Sequence, residues 1–137
     1  MQNPENALAT SRQAELHEAI HRLERLAERR NAEPDRNAGS IRGDLLLLRR
    51  AIDGLELEFA ACAAELDACD EEEWQGAPSA SSWIGDRCHT TGSAAWKSVV
   101  VGAHSTALAA SSEALRRGQI GFAHLPLCLP FVSQVQD

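Results

Sequence analysis

Aromatic side chains are scarce in this chain of 137 residues: three Trp, three Phe and no Tyr. Ala and Leu must therefore supply most of any core, and a chain rich in Ala, Leu, Glu and Arg leans helical. No apolar run approaches the ~20 residues needed to cross a bilayer, which excludes a transmembrane reading. The start, MQNPENALATSRQAE, has neither a basic patch nor an apolar stretch, so no secretory signal is expected and the chain reads as cytoplasmic. No C-x-x-C pair occurs among Cys62, Cys69, Cys88 and Cys128, so neither a zinc ribbon nor a thioredoxin-type redox site is indicated. The four thiols read as reduced cysteines of a cytoplasmic protein. Cys88, His89, His124 and Cys128 could make a Cys2His2 set only with an unusual spacing, and adjacent Cys88 and His89 fit one tetrahedral ion poorly. No metal and no cofactor are expected.

A uniform charge is also missing. The net charge is −7, yet residues 1–52 carry nine Arg against eight acids, and residues 76–137 carry four bases against three acids. The deficit lies in one stretch, Asp53 to Glu73, with nine acids and no base. General repulsion from phosphate does not follow, but neither does the basic footprint that dominates nucleic-acid affinity.

What is present is helical periodicity. From about Pro4 to Arg30, Leu16, Ile20, Leu23 and Ala27 recur at spacings of four, three and four, while Glu and Arg fill the positions between. Asn31 to Gly43, with Pro34, Gly39 and Gly43, reads as a loop or hinge. Leu45, Leu48, Ile52, Leu55, Phe59, Cys62, Leu66 and Cys69 then alternate spacings of three and four without a break, an a/d heptad seam that predicts a long helix. On it Cys62 and Cys69 act as small hydrophobes. The seam has three potential partners: the first helix, a second copy of the chain, or the C-terminal part.

Asp70-Glu71-Glu72-Glu73 falls where this helix should end, opposing the macrodipole there, and reads as a solvated helix end. Pro78-Ser79 starts a helix from about Ala80 to Arg87 that should bury Trp83 and Ile84. His89-Thr90-Thr91-Gly92 breaks it, and a second helix should run from Ser93 to about Ala110, with Ala95, Val99, Gly102 and Ala103 on a small-residue face. This is the outline of a helix-turn-helix.

ELDACDEEEW (Glu65 to Trp74), GAPSASSW (Gly76 to Trp83), the Cys88 turn leading into Ala95, and ALRRGQI (Ala114 to Ile120) occur in that order. Together they resemble the bacterial domain of unknown function 222, the 13E12 repeat family, whose members usually precede an HNH endonuclease domain. The resemblance covers roughly residues 42–125. Composition and periodicity predict an all-α fold of long helical-hairpin or coiled-coil-like helices followed by a helix-turn-helix-like cluster: an N-terminal amphipathic helix and loop at 1–41, the family-like domain at 42–125, and an irregular tail at 126–137, where Pro126 and Pro130 break any helix. Family members generally carry several Arg along the second helix of the pair, where SAAWKSVVVGA offers only Lys97, with Trp96 where a basic residue is usual. The family domain also continues past the ALRRGQI segment, so this chain resembles a truncated or stand-alone copy. His89, His104 and His124 lack the flanking arrangement of an HNH metal site.

The resemblance therefore implies a non-catalytic helical module with an accessory role in DNA binding, through Arg87, Ser93, Lys97, Arg116 and Arg117. The alternative is self-association or protein interaction, in which the seam from Leu45 to Cys69 forms a homodimer and nucleic acid plays no part. An enzyme is not expected. Ser79, Ser81, Ser82, Ser111 and Ser112 have no nucleophile elbow or base partner, and His17 and His21, though on one helix face, have no third ligand. No small-molecule substrate and no membrane partner are implied.

Overall fold

In the computed structural model, residues 4–104 and 109–124 are described, their side chains over 11–104 and 111–123. Among them the chain is all-α, with five helices and no strand: α1 (Pro4–Ala32), α2 (Ala38–Asp67), α3 (Ala80–Arg87), α4 (Gly92–Ala103) and α5 (Ala109–Arg116). Short 3-10 helices cover Glu71–Trp74 and Phe122–His124. The chain divides into two units, Met1–Arg42 and Gly43–Asp137, with α2 running across the boundary. The irregular tail expected at 126–137 lies outside the described residues.

The loop expected from Asn31 to Gly43 is shorter than its glycines and proline suggest. Helix α2 already begins at Ala38, because the Asn37 side-chain oxygen accepts the Ser40 backbone N–H at 2.8 Å. That cap satisfies one orphan donor of the first turn. Gly39 and Gly43 each cost the helix about 1 kcal/mol relative to Ala, less than the following leucine-rich turns can offset.

The second unit is built on the contact of α4 with α2 and α3. Buried Ala60, Val100, Val101 and Leu115 form one cluster, flanked by Leu57, Trp96, Ile120 and Phe122. Ala63, Ile84, Ala95 and Val99 form a second, flanked by Leu66 and Trp83. Small residues set how close the helices come. A Cβ on Gly102 would lie 2.0 Å from the Ala60 carbonyl oxygen and 2.8 Å from the Ala64 Cβ, so α4 crosses α2 almost backbone on backbone. The expected small-residue face of α4 thus does the packing through Ala95, Val99 and Gly102, while Ala103 stays exposed.

Up to Phe59 the face that α2 turns to this core differs from its heptad seam, and only below it does the seam's Leu66 join the second cluster. Asp53 and Ala60 are buried, with Leu57 and Ala64 half-buried, on one stripe at spacings of four, three and four. The seam lies roughly 130° round the helix from this stripe. The acid in the stripe, Asp53, is only 4% exposed and meets the Arg49 guanidinium at 3.6 Å.

Helix ends account for the remaining differences. Helix α2 stops at Asp67, so Cys69 lies beyond it and leaves the seam, its thiol donating to the Glu65 carbonyl at 3.3 Å. The chain then folds back, and the Trp74 indole N–H donates to the Leu66 carbonyl at 3.0 Å, satisfying one of the last carbonyls of α2. Glu71, Glu72 and Glu73 therefore occupy the first turn of a 3-10 helix. Acids are favoured in a first turn, so the dipole conflict expected at the end of α2 does not arise.

Helix α3 has the expected bounds, with Ser79 as N-cap accepting the Ser82 N–H at 3.0 Å. It closes through a Thr90 N–H to Gly85 carbonyl bond across His89, which sits at φ 54°. Helix α4, capped by Thr91, ends at Ala103 instead of near Ala110. Helix α5 is a separate element that carries the first part of the ALRRGQI segment. It ends in a Schellman motif: Gln119 N–H to Ala114 carbonyl and Gly118 N–H to Leu115 carbonyl, with Gly118 at φ 77°. Trp83, expected to be buried, is half-buried against the second cluster, and its indole N–H donates to the Gln75 side chain at 3.1 Å.

Candidate functional site

The long helix α2 uses its small residues inward and so leaves its large ones outward. Leu45, Leu48, Ile52, Leu55 and Phe59 remain 37–60% exposed. Leu46 and Leu47, beside the seam, are more exposed still. On α1, Leu16, Ile20, Leu23 and Leu26 are each about half exposed. Contiguous apolar surface on this scale is uncommon on a monomer.

At its foot the seam opens into a cleft of about 210 Å³ lined by Phe59, Cys62, Ala63, Leu66, Trp83, Ile84 and Cys88. One wall is the last two turns of α2 and the other is α3. The lining is apolar apart from two exposed thiols. Nothing in it resembles a nucleophile held by a base. Among the described residues no group of three or more His, Cys, Asp or Glu could hold a metal ion. Of the Cys2His2 set weighed from the sequence, the His124 side chain and Cys128 lie outside the described residues.

The residues assigned to DNA are spread over three helices. Arg87 ends α3, exposed, its guanidinium 6.0 Å from the centre of the Trp83 ring. Ser93 is exposed in the first turn of α4. Lys97 sits half-buried in the middle of that helix. Arg116 and Arg117 are exposed at the end of α5 and share one carboxylate, Glu113, at 3.9 and 3.2 Å. A recognition helix must offer a face to the groove. Helix α4 instead buries Ala95, Ser98, Val99, Val100 and Val101, and what it exposes is mainly its two ends.

Of the other candidates, Ser79 is taken up as a helix cap, Ser112 is buried, and His21 faces Glu24 at 3.5 Å on the surface of α1. Sequence reading missed the inward stripe of α2 and the α3 cleft. The spacing Asp53, Leu57, Ala60, Ala64 was a signal that the brighter leucine pattern masked. Among the described residues no helix is long and apolar enough to cross a membrane. No family model, no curated protein and no solved structure matches the chain.

Proposed function

We propose that this protein is a non-catalytic helical module that works by self-association through the outward seam of α2. One observation carries the reading: from Leu45 to Phe59 the heptad pattern stays 37–60% exposed, and the core contacts of that stretch of α2 are made by a different stripe. A pattern with a 3.5-residue period is matched by another helix and by little else. Helix α1 adds a second half-exposed stripe. The cytoplasm suits such a module, since it keeps the exposed thiols Cys62, Cys69 and Cys88 reduced.

The accessory DNA role implied by the resemblance has less support. It would have to work with a half-buried Lys97 and with two arginines that share Glu113. Few phosphates neutralised means weak binding at physiological salt.

Sedimentation equilibrium on the full chain tests the proposal. The wild type should assemble as concentration rises, and a variant with Leu48→Glu and Leu55→Glu should stay monomeric with unchanged helical circular dichroism. A wild type that remains monomeric at about 200 μM, a concentration at which even weak interfaces are populated, sinks it.

A further inference from the structure

We infer that the partner of the α2 seam is a second copy of this chain, docked as a parallel, in-register two-stranded coiled coil over Leu45–Phe59; this rests on the association reading above. Three features on the helix carry it.

The first is the choice of side chains. With Leu45 at an a position, Ile52 and Phe59 are also a, and Leu48 and Leu55 are d. A β-branched residue at a with Leu at d favours two parallel strands over three or four. The central layers of the exposed stretch, Leu48, Ile52 and Leu55, have that arrangement.

The second is charge. Asp44 precedes the first a position at g, and Arg49 follows Leu48 at e. Both are exposed, and the Arg49 side chain is 66% accessible despite its contact with Asp53. In a parallel pair, g of one helix meets e of the next heptad on the other. Asp44 then faces Arg49 of the second copy, and by symmetry the pair forms twice. The next flanking sets, Ala51 with Glu56 and Glu58 with Ala63, each hold one charge and cause no repulsion. Of the two antiparallel registers that fill this stretch, the one that aligns Leu48 with Phe59 pairs Arg49 with Glu56 but sets Asp44 against Glu65, and the one that aligns Leu45 with Leu55 and Leu48 with Ile52 is worse. It sets Arg49 against Arg49 of the second copy and Asp44 against Glu58, with like charges at both places.

The third is extent. From Leu45 to Phe59 the seam residues stay 37–60% exposed, whereas below Phe59 α3 already flanks the seam through Trp83, Ile84 and Cys88. The free stretch is about two heptads, roughly 22 Å of helix. That area is at the small end of specific interfaces, so the dimer should be weak, populated at about 100 μM and largely dissociated near 1 μM.

Cross-linking with single cysteines reads the geometry. The full chain is used with Cys62, Cys69, Cys88 and Cys128 changed to Ser, after its helical spectrum is shown to be retained. Leu48→Cys alone should form a disulfide-linked dimer on mild oxidation, since the d layer faces itself only in the parallel register. A mixture of Leu45→Cys and Leu55→Cys chains should form no mixed dimer. In the native-cysteine chain Asp44→Arg, which opposes Arg49 of the second copy and leaves the Arg49–Asp53 pair intact, should weaken dimerisation severalfold. A mixed Leu45–Leu55 cross-link, a trimeric mass, or unchanged dimerisation of Asp44→Arg overturns the parallel homodimer while leaving association through α2 standing. A monomer at every concentration overturns both.

Discussion

Gly102→Ala separates helix propensity from packing, because the two predict opposite signs. In an isolated helix the change should help by about 1 kcal/mol. In this fold the new methyl would be placed 2.0 Å from the Ala60 carbonyl oxygen, 2.7 Å from its carbon and 2.8 Å from the Ala64 Cβ. Ordinary contact begins near 3.4 Å, so α4 and α2 must part by roughly 1.4 Å at their crossing. The obstacle is backbone, which cannot rotate aside as a side chain would. Parting the helices loosens the cluster of Ala60, Val100, Val101 and Leu115, and a gap of that order forfeits about half or more of the attraction of each contact it opens. Overpacking of this kind costs about 1–3 kcal/mol, with the upper end expected for a backbone clash. Net of the propensity gain, Gly102→Ala should destabilise by about 2 kcal/mol, lowering Tm by ~8 °C for a chain of this size. Gly54→Ala is the control: it lies in α2 with nothing within 4 Å of a built Cβ and should gain about 1 kcal/mol. Thermal melts followed at 222 nm at fixed protein concentration measure both. If Gly102→Ala melts at or above the wild type, the close crossing of α2 and α4 is wrong.

Three further outcomes are expected. His89→Gly should stabilise by up to about 1 kcal/mol, since φ 54° costs a residue with a Cβ and glycine adopts it freely; a lower urea midpoint would refute the left-handed closure of α3. Trp83→Ala should cost about 2 kcal/mol, below the ~3–5 of a fully buried aromatic, and Gln75→Ala should reproduce a minor part of it through the lost indole bond; a loss under 0.5 kcal/mol, about the noise of a surface change, would place Trp83 off the core. Binding to duplex DNA near 150 mM salt should be weak or unmeasurable by fluorescence anisotropy, and any low-salt binding should fall when Lys97, Arg116 and Arg117 are replaced together; tight, salt-resistant binding would restore α4 as a recognition helix.

The helical class, the spans of α1 and α3, and the cap at Ser79 were legible in the sequence. Each depends on interactions within about four residues: apolar spacing, a hydroxyl reaching an N–H three residues on, a proline before a helix start. The seam was legible for the same reason, because heptad spacing is a local property. Which face of α2 meets the core was not local. The leucine stripe is the more hydrophobic, yet the core takes Ala60 and Ala63, with Asp53 and a half-buried Ala64 beside them, because only small side chains let α4 approach with Gly102 against the Ala60 carbonyl. Close approach of two backbones is a property of both helices at once, and no pattern on either one announces it. Likewise Trp74 turns back to the end of α2, moving Glu71–Glu73 from the end of one helix to the start of another. The sequence determined that α2 would carry an apolar stripe; the packing of α4 decided that this stripe would face outward.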